Sequence, residues 1–508
     1  MRILTKTQAK DLDVFAMKSK GIPSDFLMEN AGRAIAGETF EMITSALKPS
    51  IAVVCGKGNN GGDGFAAAHF LKKWGREVDV FSTCPEASIK GDAKQFFEKL
   101  IAAECVVKFI KRPPTATKSY SVIIDAMLGT GASGTIRKEA AAWIRWINKQ
   151  DAKIISADIP SGLGSDNGSF DPVCVKAEKT VTMGFPKLGL MIYKGPESAG
   201  EVVTADIGFP KIPNNLKGFH WSVFDESTIE DALPALPKTA SKHTQGNVLI
   251  IAGSKGMTGA GVLASMAAAR SGAGLVKAVV PESLNTVFEL KMTEVMTIPC
   301  KDNGIGILTG DNFRPIKDAL NWCDVAVIGP GLGTDRATLD LIKKVVLSSK
   351  KPMVIDADAL RTFYGNIQLF SKIKAPFVIT PHCGELSKIL NMERKNLEVD
   401  FPETSSKLSQ KISGTLVAKN APTITLQKKN GVINSSGNSG LATGGTGDVL
   451  SGLIGGLMTQ GMDPFFASQV GVFLHGKAAD IVSGKTGKRG MIASDLLDAI
   501  PEAMAMYE

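Results

Sequence analysis

Short apolar runs alternate along this chain with stretches in which apolar residues recur every three or four positions. Ile51-Ala-Val-Val-Cys55, Glu77-Val-Asp-Val-Phe81, Val122-Ile-Ile-Asp125 and Lys153-Ile-Ile-Ser-Ala-Asp158 have the length of strands. From Ser24 to about Leu47 the spacing becomes helical, with Leu27, Ala31, Ala34 and Ile35 on one face behind Pro23. The rhythm resumes at Asn247-Val-Leu-Ile-Ile-Ala252 and returns at Asp324-Val-Ala-Val-Ile328, Met353-Val-Ile355 and Phe377-Val-Ile379, with a helix of small residues from Val262 to about Gly272. Continuous apolar runs suit strands buried on both faces, so the alternation predicts α/β architecture with mostly parallel sheets between helical layers. Leu416-Val-Ala-Lys419 and Ile424-Thr-Leu426 read instead as a hairpin-like pair. No repeat of fixed period is present. Pro210, Pro213, Pro234 and Pro237, set among polar residues, place a boundary near Gly208 to Phe219 and domains at 1–212 and 220–508.

Several strand ends run into glycine. Asn438-Ser-Gly-Leu-Ala-Thr-Gly-Gly-Thr-Gly-Asp448 leads into a helical pattern of Val449, Leu450, Leu453, Ile454, Leu457 and Met458, with Gly452, Gly455 and Gly456 allowing that helix to approach a neighbour closely. Free N–H groups of Thr446, Gly447 and Asp448 at such a start favour a phosphate or a developing oxyanion. Asp448 either caps the helix or accepts the proton of a hydroxyl that attacks phosphorus; the glycine density exceeds what a cap requires and favours the base. In the first half, Gly56-Lys-Gly-Asn-Asn-Gly-Gly-Asp-Gly64 follows a strand and precedes a helical pattern, a phosphate-cradling arrangement without G-x-G-x-x-G spacing. It reads as a loop. Asp125, ahead of Gly129-Thr-Gly-Ala-Ser-Gly134, and Asp158, ahead of Ile-Pro-Ser-Gly162, end their own strands, where ligands of parallel sheets bind.

Composition narrows the class. At 508 residues the chain exceeds one ordinary core, and 44% hydrophobic residues, 21% charged residues and 53 glycines describe a compact enzyme rich in tight turns. The net charge of +8 is spread without a basic tail, which suits an anionic small molecule and gives no nucleic-acid signature. Seven cysteines, none spaced as paired metal ligands, read as reduced thiols. With no signal-like or membrane-spanning apolar run, a cytoplasmic protein with no membrane partner is expected.

Two resemblances follow from these motifs. Over about 1 to 210, Gly56 to Gly64, Asp125 to Gly134, Ala157-Asp-Ile-Pro-Ser-Gly162 and Met183-Gly-Phe-Pro-Lys187 resemble the NAD(P)H-hydrate epimerases. That likeness implies a Rossmann-like domain that interconverts the epimers of hydrated NADH or NADPH with bound K+. It matches Asn60, Asp125 and Ser161 to the K+ ligands. It matches Asn59, Asn60, Gly61, Gly62, Asp63, Gly129, Thr130, Gly131, Ala132, Ser133, Gly134, Thr135 and Asp158 to substrate contacts, with Asp158 as acid/base. Amide, carboxylate and hydroxyl oxygens are donors that such a cation prefers.

From about 220 to 508, Gly253 to Gly261, Gly329 to Gly333, Asp356 to Leu360, Thr380 to Glu385 and Asn438 to Gly452 resemble the ADP- or ATP-dependent NAD(P)H-hydrate dehydratases. A ribokinase-like fold is implied, with Ala260, Gly331, His382 and Asp448 on the hydrated nicotinamide. Lys419, Asn420, Ala421, Pro422, Thr423 and Gly447 then meet the adenine nucleotide, with Mg2+ on its phosphates. Cys383 stands where proline is usual, and Asn420-Ala-Pro replaces Gly-Ala-Gly. The fused chain is expected to repair both epimers at the expense of ADP or ATP and to form a homo-oligomer. An ordinary small-molecule kinase, and a first domain reduced to a binding module, are the rival readings.

Overall fold

The computed structural model describes residues 1–43, 49–115, 118–131, 134–213, 216–230, 233 and 238–508. Contacts divide the chain into two compact units, Arg2–Trp221 and Ser222–Glu508 with Met1. Pro234 and Pro237, used to place the boundary, lie outside the described residues. All seven cysteines are free, and no helix among the described residues is long and apolar enough to cross a membrane.

The first unit carries a seven-stranded sheet of β1 (Ile51–Cys55), β2 (Val78–Ser82), β3 (Val107–Phe109), β4 (Val122–Ala126), β5 (Lys153–Ala157), β6 (Lys179–Met183) and β7 (Glu201–Ala205), in the order β3-β2-β1-β4-β5-β6-β7. Every pairing is parallel. The central strands β1 and β4 are buried throughout, as their unbroken apolar runs require. The order reverses direction between β1 and β4, which opens a crevice at their carboxyl ends. Helix α1 (Ser24–Met42) begins where Pro23 predicts; the periodicity carried it on to Leu47, and 44–48 lie outside the described residues.

One expectation changes here. Asn59-Asn-Gly-Gly-Asp-Gly64 is not a loop but the first turns of helix α2 (Asn59–Lys73). Its glycines bring the helix against the sheet. A Cβ on Gly61 would lie 1.9 Å from the Gly56 carbonyl oxygen, and one on Gly64 would lie 2.6 Å from the Ala126 Cβ and 2.8 Å from the Cys55 Sγ. The glycines read as flexibility for a ligand are therefore first a packing device, and the helix start sits directly above β1.

The second unit runs β8 (Asn247–Ile251), β9 (Leu275–Pro281), β10 (Met296–Cys300), β11 (Val325–Ile328), β12 (Met353–Ile355), β13 (Phe377–Ile379), β14 (Thr415–Ala418), β15 (Ile424–Gln427) and β16 (Asn430–Ile433). Their order is β16-β15-β14-β13-β12-β11-β8-β9-β10. Pairings from β10 to β14 are parallel, and β14-β15-β16 is an antiparallel meander, as the hairpin reading anticipates. The Met353 run stops at Ile355 and passes into a 3-10 turn over Ala357–Phe363, so Asp356 stands at the carboxyl end of β12.

Helices α3 (Thr258–Arg270) and α4 (Thr446–Thr459) lie against one another. A Cβ on Gly445 would meet Leu263, one on Gly452 would lie 2.0 Å from the Ala264 carbonyl oxygen, and one on Gly456 would lie 1.8 Å from the Ser271 Oγ. Both sequences advance together, so the helices are parallel and their N-termini share one end. In mid-helix, alanine normally improves on glycine by about 1 kcal/mol, but forcing a methyl into a filled space costs about 1–3 kcal/mol. Gly452→Ala should therefore destabilise the protein, whereas Gly484→Ala, within the helix Pro464–Thr486 and with nothing within 4 Å, should be neutral to stabilising. Urea unfolding of the two variants, compared with the parent, reads the opposite signs.

Candidate functional site

Each unit gathers polar side chains at the carboxyl ends of its parallel strands. In the first, a cavity of about 1230 Å³ opens over β1, β4, β5 and β6. Asn59, Asn60, Asp63, Gly129, Thr130, Gly131, Gly134, Thr135 and Asp158 line it, as do Asp13 and Lys187. Gly61 and Gly62 do not: Gly62 donates its N–H to the Gly58 carbonyl at 3.0 Å, and a Cβ there would strike the Met28 Sδ at 2.6 Å. Ala132 and Ser133 lie outside the described residues.

Asp125 is fully buried at the end of β4. Its carboxylate receives the Ser161 hydroxyl at 2.6 Å, the Ser161 N–H at 2.8 Å, the Ser156 hydroxyl at 3.1 Å and the Met127 N–H at 3.3 Å. Burial nonetheless pushes its pKa up against these donors. Asn60 stands at the second position of α2 with both amide atoms buried and, among the described residues, unpartnered. A Cβ on Gly129 would lie 3.1 Å from the Asn60 Cβ and 3.6 Å from its Oδ1, so the loop after β4 closes over this amide.

Asp158 turns the chain at the end of β5 with φ 63°, a left-handed conformation that Asp tolerates better than most residues. The turn directs its carboxylate to β6. Asp158 Oδ1 receives the Met183 N–H at 3.2 Å and the Thr182 hydroxyl at 3.3 Å, and it is paired with the Lys187 ammonium. Two further carboxyls share this space. Burial holds Asp63 well above the usual carboxylate range, with Asp158 adding to the effect and Lys187 opposing it. Burial raises Asp13 to about 6.

In the second unit Asp356 and Lys419 form a buried ion pair at 3.0 Å, with the Asp356 side chain 1% exposed. The Ser451 hydroxyl of α4 donates to the other Asp356 oxygen, and Lys419 N–H donates to the Pro381 carbonyl at 2.9 Å. The amine also lies 3.1 Å from where a Gly447 Cβ would be. Lys419 is thus no solvated surface lysine; one of its three donors is on Asp356, beneath the start of α4. Thr423 Oγ1 donates to the Asn420 carbonyl at 3.2 Å and Ala421 N–H to Asn420 Oδ1 at 2.9 Å, closing the turn through Pro422 between β14 and β15.

The N-cap of α4 is Gly445, with φ 92° and no side-chain capping bond, so Asp448 is not the cap. The first helical N–H bonded back along the chain is that of Val449, to the Gly445 carbonyl at 3.2 Å, which leaves Thr446, Gly447 and Asp448 before it. Among the described residues nothing hydrogen-bonds the Asp448 carboxylate. Burial raises it to about 7, reinforced by Asp356 and Asp358 and opposed by Lys419. Behind this turn, His475 donates through Nε2 to the Thr446 carbonyl at 2.9 Å; burial lowers its imidazole to about 4, which leaves it neutral.

His382 caps the helix Cys383–Leu390 through Nδ1, which accepts N–H groups of Gly384 at 2.9 Å and Glu385 at 3.4 Å, while Glu385 accepts the His382 N–H at 2.9 Å. With Nδ1 used as an acceptor, the neutral ring carries its proton on Nε2. The ring is 59% exposed and available as a donor. Burial raises Glu385 to about 7. Gly331, at φ 60°, would place a Cβ 2.9 Å from that of Ala260, so these two expected contacts adjoin near the α3 start.

Sequence reasoning gave no role to Lys187, Asp13, Asp356, Ser451 or Glu385 as members of these clusters. Lys187 and Asp356 fall inside the quoted motifs, but their partners are 29 and 63 residues away, out of reach of local pattern.

Residues 248–502 match the family described as NAD(P)H-hydrate dehydratase, and residues 24–189 match that described as YjeF-related protein N-terminus. The chain is 36% identical to the bifunctional NAD(P)H-hydrate repair enzyme Nnr of Moorella thermoacetica, covering 100% of this chain and 97% of that protein. It is 32% identical to the Escherichia coli protein of the same name, over 93% and 88% of the two. A solved Bacillus subtilis ADP/ATP-dependent NAD(P)H-hydrate dehydratase, co-crystallized with ATP/Mg2+, is 26% identical and covers 56% of this chain and 98% of that one, with a TM-score of 0.49. Two units that each assemble buried acids and helix starts at strand ends thus coincide with full-length likeness, and the chain belongs to the family of bifunctional NAD(P)H-hydrate repair enzymes.

Proposed function

We propose that the Arg2–Trp221 unit interconverts the R and S epimers of hydrated NADH or NADPH through Asp158, and that the Ser222–Glu508 unit dehydrates the S epimer through Asp448, consuming ADP or ATP. The observation that carries this reading is Asp448: an unpaired carboxylate poised near neutrality in the first turn of α4, next to N–H groups that precede the helix's own hydrogen bonds.

Hydroxide leaves a reduced ring poorly at neutral pH. In the proposed sequence the ionised Asp448 takes the proton of the substrate hydroxyl as its oxygen attacks the terminal phosphorus of the nucleotide. The N–H groups of Thr446 and Gly447 and the α4 dipole stabilise the charge moving onto the phosphoryl oxygens. Phosphate then departs as the ring nitrogen's lone pair pushes in, and loss of a proton from the neighbouring ring carbon completes the double bond and restores NADH or NADPH. His382, held neutral by its backbone donors and lowered further by burial, offers an Nε2 hydrogen bond to the nicotinamide portion. Lys419, Thr423 and the turn through Asn420, Ala421 and Pro422 face the nucleotide. Mg2+ accompanying the phosphates would neutralise their charge, and the Asp448 and Glu385 carboxylates are oxygen donors of the kind it accepts.

For the first unit, a K+ site supports the same reading. The buried amide oxygen of Asn60 without a partner, the Asp125 carboxylate and the Ser161 hydroxyl are a donor set for a hard, weakly charged cation, which would fix the substrate's polar groups beside Asp158.

Three outcomes are expected. With hydrated NADH, ADP or ATP and Mg2+, Asp448→Asn should slow recovery of reduced-nicotinamide absorbance by about 10²–10⁴-fold, the usual worth of a general base, while leaving epimer exchange intact; Asp158→Asn should do the reverse. A stable phosphorylated product without NADH would identify an ordinary kinase instead. Because the base must be ionised, kcat/KM of dehydration should be flat above and fall as pH drops through about 7, the value to which burial raises Asp448. Titrating epimerase activity with KCl at constant ionic strength should show saturable activation in the parent and a rightward shift in Asn60→Ala; an identical curve would remove Asn60 from the cation site.

A further inference from the structure

The Asp158 carboxylate is held asymmetrically. Three donors converge on Oδ1: the Met183 N–H at 3.2 Å, the Thr182 hydroxyl at 3.3 Å and the Lys187 ammonium. Among the described residues none reaches Oδ2, although Asp158 lines the cavity. Lys187 is fixed as well. Its amine also donates to the Thr182 hydroxyl at 3.1 Å and the Met183 carbonyl at 3.3 Å, and the side chain is only 5% exposed. Its backbone is pinned from both sides, because Leu4 donates to the Pro186 carbonyl at 2.9 Å and accepts the Leu188 N–H at 3.0 Å. A surface salt bridge contributes little and moves freely; this one is buried, saturated and aimed.

We propose that Lys187 is a positioning residue of the epimerase: it pairs with the Asp158 carboxylate and holds it rotated so that Oδ2 faces the substrate as the oxygen that takes and returns the proton. This rests on Asp158 being the acid/base of the first unit. Epimerisation is an isomerisation: as Oδ2 takes the proton of the ring hydroxyl, the bond from the hydroxyl-bearing carbon to the ring nitrogen breaks to leave a carbonyl, and reclosure on the other face re-forms that bond and returns the proton, so no co-reactant is required. The other charged side chains of the cavity come from separate elements: Asp63 on α2, Asp13, Lys6 and Lys10 on the helix Lys6–Lys20, Lys57 just before α2, Asp92 on the helix Asp92–Ala102, Lys111, and Arg137 and Glu139 at the start of the helix Lys138–Lys149. Lys187 is the cation in direct contact with Asp158, and it also opposes the burial that raises Asp63 and Asp13.

The test uses the full chain and purified epimers, with exchange followed by chromatography above the uncatalysed rate. Lys187→Met should lower kcat of epimerisation at least tenfold at pH 7 with KM within twofold. It should also move the acidic limb of kcat up by at least one pH unit, because a carboxylate without its cation ionises later, so that part of the lost activity returns above pH 8. Lys187→Arg, which keeps the charge, should restore the limb. Nucleotide-dependent recovery from the S epimer, which uses the other unit, should match the parent in both variants and reports on folding. An unmoved limb in Lys187→Met, whatever the size of the kcat loss, overturns the proposal and leaves Lys187 a structural salt bridge. An active Asp158→Asn overturns the underlying reading of Asp158 itself, whereas an inactive Asp158→Asn with an unmoved Lys187→Met limb overturns this proposal alone.

Discussion

The buried ion pair between Asp356 and Lys419 is the constraint on which the second site depends. Taking two charges out of water is costly, and removing one partner of such a pair typically destabilises a protein by about 3–5 kcal/mol, because the survivor stays buried and uncompensated. The pair therefore enforces geometry. It joins the ends of β12 and β14, and through Ser451 it fixes α4, which carries Asp448. It also sets charge: Asp356 pushes Asp448 toward protonation while Lys419 pulls it back, and with burial leading, the balance falls near 7. A base built this way needs no hydrogen bond of its own and keeps its lone pairs for the substrate.

The first unit solves a related problem with neutral donors. Asp125 is as buried as Asp356 but has hydroxyl and amide N–H partners in place of a lysine. Burial leaves its pKa raised despite these hydrogen bonds, and among the described residues the Asn60 amide beside the same loop has no partner. Buried amide atoms without partners are rare in folded proteins. The cation proposed for this site would complete that arrangement, and so the donors that fail to balance Asp125 are themselves informative.

Much of this was legible in the sequence because it is local. Strand-length apolar runs predict two mostly parallel sheets, and the density of glycine around Thr446 to Asp448 marked a helix start pressed against a neighbour, where Gly452 and Gly456 touch Ala264 and Ser271. The same reasoning misread Asn59 to Gly64 as a loop. Glycine permits tight helix-to-sheet contact as readily as it permits a turn, and only the position of the Gly56 carbonyl distinguishes the two. Lys187 and Asp356 were hidden for a different reason. A lysine after a proline, or an aspartate after an apolar run, looks solvated until the fold brings Asp158 or Lys419 against it. The side chains proposed to touch substrate lie in conspicuous motifs, while the groups paired with them come from distant parts of the chain.

The two aspartates assigned to proton transfer in the proposed function differ in a way that follows from what each reaction asks of a proton. Phosphoryl transfer removes the substrate proton once, at the moment the oxygen attacks, and a base near neutrality combines a useful ionised fraction with real proton affinity. Asp448 has that character because burial and a second carboxylate raise it while one lysine, engaged elsewhere, restrains it. In the proposed epimerisation the proton returns to the same molecule, and burial raises the pKa of both Asp63 and Asp13 beside it. There the Asp158 carboxylate has a cation in direct contact, with a hydroxyl and a backbone N–H on the same oxygen. Asp448 is tuned by charges at a distance and Asp158 is held by contact; among the described residues neither Asp448 oxygen has a hydrogen-bond partner and Asp158 Oδ2 has none, and in the proposed reactions these are the oxygens that face the chemistry.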